Sequence, residues 1–145
     1  MNRRRYLVDN NALSQLTSAQ RTSLLFRESC QITSDVLYEA RGYVEAELAD
    51  LEVPLTPAVL NRLIEVMAAL HPGDVRLINL YTGKGAADPV MVASALEAQS
   101  FEDATLFPDT WVIVTDDKAV ANTARHFGLE ALPSSDFRVM FPVMG

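Results

Sequence analysis

Five carboxylates stand where strand-like runs give way to helix-like ones. Asp9 follows Tyr6-Leu7-Val8, three β-favouring residues. Glu39 falls in the first two turns of a helical pattern that follows Cys30-Gln31-Ile32-Thr33. Asp88 opens an alanine-rich helical segment. Asp116 and Asp117 directly follow Trp111-Val112-Ile113-Val114-Thr115, the clearest strand in the chain. In a parallel α/β sheet, strand C-termini and the N-termini of the following helices share one edge, so acids far apart in sequence can converge there. Carboxylates in one pocket raise each other's pKa unless a cation neutralises them. An oxygen-only ligand set suits Mg²⁺ or Mn²⁺, and such ions activate water and stabilise charge on a phosphodiester. Other routes to catalysis are poorly supplied. His71 and His126 fall at helix ends without HExxH spacing, Gly83-Lys84-Gly85 is not a Walker A sequence, and no GxSxG is present.

Taken singly, each acid also has an ordinary reading. Asp9 can be a turn or cap residue, and Glu39 can be helix surface. Asp88 is favoured by the helix dipole in a first turn. Asp116 and Asp117 can be a cap and a first-turn acid. Their common placement at one edge is what argues for a site.

The elements that must position them alternate. Residues 7–8 read as the first strand, with Asn10 or Asn11 beginning a turn or capping a helix over 12–16. Residues 19–29 continue helically, with Leu24, Leu25 and Phe26 turned inward. Residues 30–33 form the second strand, and Ser34 caps a helix carrying Val36, Leu37, Ala40, Val44 and Leu48 at helical spacing. Gly42 weakens its middle by about 1 kcal/mol relative to alanine. After a short extended piece at 53–55, Thr56-Pro57 starts a helix with Leu60, Leu63, Ile64, Met67 and Leu70 on one side. His71-Pro72-Gly73 ends it. Residues 75–81 alternate weakly and fit a strand or a loop–helix segment. A turn at 82–85 leads into a helix over 86–99, with Val92, Ala95 and Leu96 inward, and 100–109 reads as irregular. After the 111–115 strand, a helix over 118–127 closes at Gly128. A short strand at 129–131 and an edge strand at 137–143 complete the chain. This order predicts one domain over 1–145, a three-layer α/β fold with a mainly parallel sheet.

The chain has 145 residues and is 49% hydrophobic, enough for a core without staples. A single cysteine, Cys30, excludes an intrachain disulfide and a cysteine-rich metal site. There is no recognisable signal peptide and no apolar run long enough to span a membrane, so a cytoplasmic location is expected. A net charge of −7 argues against gripping nucleic acid by overall charge. It is compatible with acids grouped around cations. Arg3, Arg4 and Arg5 are either solvated surface or a small basic patch.

Four segments, YLVDNNAL, SDVLYEA, GAADPVMVASAL and WVIVTDDKAV, resemble in order and spacing those of the PIN domain family. These are metal-dependent ribonucleases that include VapC-type toxins of toxin–antitoxin pairs. The resemblance implies a three-layer PIN-like fold and hydrolysis of RNA. It makes Asp9, Glu39 and Asp88 metal-site acids, with Asp117 as the fourth and Asp116 its close alternative. It implies that Asn11 helps hold the first acid and that Thr115 braces the site. Lys84, Lys118 or Arg41 would touch a phosphate. Asn10 departs from the Thr or Ser usual at that place. The partners implied are an RNA substrate, a cognate antitoxin and a second copy in a homodimer. The alternative is a catalytically inactive PIN-like RNA-binding or protein-interaction module. A receiver-like or phosphatase domain fits less well, because the first strand ends in Asp9-Asn10-Asn11 and Asp88 opens a helix.

Overall fold

Parallel pairing organises the computed structural model, which describes residues 3–40, 48–69 and 87–141, with only the backbone at 87 and 88. The strands are β1 (Arg4–Val8), β2 (Cys30–Thr33), β3 (Glu52–Val53), β4 (Thr110–Val114) and β5 (Glu130–Leu132). They lie in the order β3-β2-β1-β4-β5, every neighbouring pair parallel. Val8 stands opposite Val114, so β1 and β4 end level with each other. Leu7, Val8, Val112, Ile113 and Val114 are all buried. Such runs, apolar on both faces, belong to central strands covered by helices on either side.

The helices are α1 (Asn10–Ser14), α2 (Ser18–Arg21) and α3 (Leu24–Ser29) between β1 and β2, then α4 (Ser34–Ala40) after β2. A 3₁₀ turn at Ala49–Leu51 precedes β3. Then come α5 (Pro57–Ala68), α6 (Ala87–Asp103), α7 (Lys118–His126) and α8 (Ser134–Arg138). From β1 the chain steps outward through β2 to β3, then crosses back to β4 and out to β5. Right-handed crossovers send these two directions of travel to opposite faces. Accordingly α3 and α4 pack on β1, β2 and β3, and α1 touches α4 and α8. On the other face α6 lies across β4 and β2, with α5 stacked on it and α7 alongside. The expected three-layer α/β/α fold with a parallel sheet is present, consistent with a PIN-like architecture.

Helix starts follow local chemistry. Thr56 Oγ1 accepts from the Val59 N–H at 3.2 Å, with Pro57 at the first helical position. After β2, Thr33 supplies the cap bond expected of Ser34, accepting the Val36 N–H at 3.2 Å. The Ser34 hydroxyl turns to the Val53 carbonyl. The first crossover is broken twice, because Thr17 and Ser23 each cap a new helix. Restarting at Ser23 resets the helical phase. Phe26 is buried, while Leu24 and Leu25 point outward, Leu24 being 73% exposed. Along α5, Val59 and Val66 face the core. Leu60 and Ile64 lie on the neighbouring stripe, and Ile64 is 68% exposed.

Two expectations are corrected outright. Residues 100–103 continue α6. Where an edge strand was expected over 137–143, α8 ends at Arg138 and residues 139–141 follow it without strand pairing. Phe137 and Phe141, four residues apart, join Tyr6 and Phe26 in an aromatic chain with ring centroids 5.0–5.8 Å apart. That i, i+4 spacing is helical, and burying two phenyl rings against β1 and α3 outweighs the β-propensity of the run. Gly42, Val44, Leu70, His71-Pro72-Gly73, residues 75–81, the turn at 82–85, Pro142 and Val143 lie outside the described residues.

Gly128 follows α7 at φ +83°, the left-handed conformation of a C′ residue. A Cβ there would meet nothing within 4 Å. Gly128→Ala is therefore expected to cost about 1–2 kcal/mol through backbone conformation alone. A fall in denaturation midpoint with an unchanged m-value would show it.

Candidate active site at the carboxyl edge of the sheet

The chain reverses its direction of travel between β1 and β4. In open α/β sheets this switch point leaves a crevice outside the strand carboxyl ends. Asp9 enters it from β1, with its N–H donating to the Val114 carbonyl at 3.0 Å. Its side chain, not that of Asn10 or Asn11, caps α1: Oδ1 accepts the Asn10 N–H at 2.7 Å. Oδ2 accepts the hydroxyl of Thr115 at 3.0 Å. Thr115 is buried just beyond β4, and its Oγ1 accepts the Asp117 N–H at 3.1 Å. One hydroxyl thus ties the first acid to the turn that carries the last two.

Asp116 and Asp117 have different surroundings. Asp117 caps α7, with Oδ1 accepting from Ala119 N–H at 2.9 Å and Val120 N–H at 3.4 Å. Asp116 accepts the Ser134 N–H at 2.8 Å, the Ser134 hydroxyl at 2.6 Å and the Asn11 amide at 3.1 Å. Asn11 therefore reaches across the crevice to Asp116, whereas the resemblance had it steady Asp9.

Burial pushes the Asp9 carboxyl above its ordinary range, bonds from Thr115 and Asn10 oppose the rise, and the charges of Asp117 and then Asp116 add to it. Glu39, the sixth residue of α4, is also raised, by burial first and then by Asp9 and Asp35. Asp9 is thus a shared electrostatic neighbour of Glu39 on one side and of the Asp116-Asp117 pair on the other. Asp116 is held below its ordinary value, chiefly by the hydroxyl and N–H of Ser134, with help from Gln15 and Asn11.

Asp88 is the second residue of α6. The far end of that helix meets the start of β4, where Gln99 Oε1 accepts the Trp111 N–H at 2.8 Å. The helix therefore runs against the strands, and its first turn lies toward their carboxyl edge. The Asp88 side chain, Lys84 and Arg41 lie outside the described residues. Among the described residues, no group of three or more His, Cys, Asp or Glu side chains forms a metal cage.

Three contributors escaped sequence reasoning: Ser134 and Gln15 on Asp116, and Asp35 beside Glu39. Asp35 and Gln15 resemble ordinary helix residues in sequence. Ser134 had a usable signal, since Pro133-Ser134 after a short strand is a helix start.

The basic run at the other end of β1 is spent on structure. Arg3 pairs with Asp109 at 3.7 Å, Arg4 with Glu130 at 3.5 Å and Arg5 with Glu102 at 3.8 Å. Arg5 also lies over the Trp111 ring, 5.1 Å from its centroid.

Among the described residues, no helix is long and apolar enough to cross a membrane. No protein-family model matches the chain. No curated protein matches it in sequence. The fold is similar to that in the crystal structure of FitAcB from Neisseria gonorrhoeae, with 14% identity, a TM-score of 0.50, and coverage of 90% of this chain and 98% of that one. At that identity the likeness speaks for the fold.

Proposed function

We propose that the protein is a metal-dependent endoribonuclease of the PIN type, the toxin of a toxin–antitoxin pair. The observation that carries this reading is the placement of Asp9, Thr115, Asp116 and Asp117 at the β1/β4 switch point, with Glu39 sharing the field of Asp9. The four sequence segments and the fold likeness to FitAcB support it.

Carboxylate oxygens are the donors a hard divalent cation takes. Asp9 is desolvated and surrounded by like charge, and among the described residues no Lys or Arg pairs with Asp9, Glu39 or Asp116. Asp9, Glu39, Asp88 and Asp117 would hold Mg²⁺ or Mn²⁺, and Asp116 is the alternative to Asp117. Asp117 exerts the larger charge effect on Asp9. The cation supplies Lewis acidity and charge neutralisation for attack of water on a phosphodiester.

The chain's own groups do the rest. Thr115 and the Asn10 N–H fix the Asp9 carboxylate in one orientation. Glu39 would ligate the ion or position the attacking water. As the water oxygen bonds to phosphorus, the bond to the leaving sugar oxygen breaks and that oxygen takes a proton from solvent water.

An antitoxin and a second copy are the protein partners this reading calls for. Exposed Leu60 and Ile64 on α5, with Phe101, Leu106 and Phe107 beyond it, offer apolar surface to such a partner. The same surface favours the second reading, an inactive PIN-like interaction module. A cleavage assay separates them. With Mn²⁺ or Mg²⁺, single-stranded RNA should be cut internally, and cutting should stop on chelation. A folded, metal-loaded protein that leaves a broad panel of RNAs intact would favour the interaction module.

A further inference from the structure

Two of the acids, Asp116 and Asp117, line a groove of about 350 Å³ between α7 and the end of β5. Thr115, Asp116 and Asp117 form its head, Lys118, Asn122 and Arg125 one wall, and Leu132 and Pro133 the other. Lys118, Asn122 and Arg125 follow one another at i, i+4 and i+7, a single stripe on one helix face. The opposite face of α7, with Val120 and Ala124, is buried. The stripe spans about 10 Å at 1.5 Å per residue.

These cations stand apart from most others in the molecule. Arg3, Arg4, Arg5, Arg27 and Arg62 each pair with a carboxylate. Lys118 and Arg125 form no ion pair among the described residues, although the chain carries an excess of acids. A cation left unpaired in so acidic a protein, in a groove that also holds Asp116 and Asp117, matches an anionic ligand passing those acids. One row of donors facing an apolar wall suits a single strand, with phosphates along the donors and sugar or base against Pro133. A duplex would demand contacts to two strands.

We propose that this groove holds the backbone of single-stranded RNA on one flank of the scissile bond. Lys118 and Arg125 each meet a phosphate, and Asn122 hydrogen-bonds between them. The inference rests on the nuclease reading, whose substrate it orients. An overall charge of −7 repels a polyanion, and local cations such as these oppose that repulsion.

The test is fluorescence anisotropy with a short labelled single-stranded RNA, in chelator so that nothing is cut. Wild type is compared with Lys118→Gln/Arg125→Gln and with Arg138→Gln, an exposed cation outside the groove, each checked for folding by its melting curve. The double variant should bind about tenfold more weakly, with a plot of log K against log salt shallower by about 1.4, two phosphates at about 0.7 each. Arg138→Gln should bind like wild type. Unchanged affinity and slope in the folded double variant overturn the groove, and leave the nuclease standing if wild type cuts RNA. Loss of binding in the double variant, with a wild type that neither binds Mn²⁺ nor cuts, supports the groove and overturns the nuclease. Polyglutamate that competes as well as RNA does, and loses as much affinity in the double variant, assigns the groove to an acidic polypeptide and overturns the RNA proposal.

Discussion

Without divalent cations, Asp9→Asn should melt at a higher temperature than the wild type at neutral pH, and with cations it should be inactive. The opposition follows from the surroundings of Asp9. Its folded pKa is raised by burial and by Asp117 and Asp116. The folded state therefore binds the proton more tightly than the unfolded chain does. By linkage, stability is greatest where the group is protonated, falls as pH climbs from the unfolded pKa to the folded one, and stays low above. Glu39 is raised in the same direction, so it adds to the trend. An amide at position 9 removes the charge and keeps an oxygen for the Asn10 N–H. The stability profile of the variant should be flatter between mildly acidic and neutral pH. Melting curves across that range in chelator check the sign. Activity should fall more than about 100-fold, since even a partner one shell out from a metal commonly costs about 10–100-fold.

Thr115→Val should cost both stability and activity. The buried hydroxyl donates to Asp9 and accepts from the Asp117 N–H. Valine matches its shape but leaves two partners unpaired, at about 1–3 kcal/mol for each group that water cannot reach. Asp9 loses a bond that favours its charged form, so its pKa should rise further. Thr115 touches no reacting atom in this account. It positions, and its loss should lower activity about 10–100-fold. Thr115→Ser restores the hydroxyl without the methyl and should recover most of the activity. A merely structural role would instead follow the lost packing, and the serine variant would do no better than valine. A shift of the activity–pH profile in Thr115→Val, read alongside its denaturation midpoint, separates positioning from stability.

The strands at the site were legible because their residues do two jobs that agree. In 111–115 every residue is a β-former and nearly all are apolar, which is what a central parallel strand requires. The acids at 9, 116 and 117 then had to stand at the carboxyl edge. Helix faces read less well. Leu24 and Leu25 read as inward, and Leu60 and Ile64 as part of one apolar side of their helix, yet all four are exposed. For Leu24 and Leu25 the Ser23 cap shifted the phase. For Leu60 and Ile64, α5 meets the core through α6 along the stripe of Val59 and Val66 instead. Phe137 was read for its β-propensity, when its spacing from Phe141 carried the information. Within the site, sequence placed the carboxylates on one edge but could not see their bonding. That Asn11 reaches Asp116, and that Ser134 joins it, depends on the β5 end coming alongside β4. The groove of Lys118, Asn122 and Arg125 was half visible: the spacing is plain in the sequence, but the facing wall and the carboxylate partners of Arg3, Arg4, Arg5, Arg27 and Arg62 are tertiary facts.

The central claim is that acids gathered at the β1/β4 switch point hold a divalent cation. Titration calorimetry with Mn²⁺ tests it most directly, on wild type, Asp9→Asn and the double variant Asp9→Asn/Asp88→Asn. Saturable binding in the wild type, weakened in the single variant and absent in a folded double variant, is the predicted result. Binding that persists unchanged in the double variant, or no binding by the folded wild type, would contradict the account.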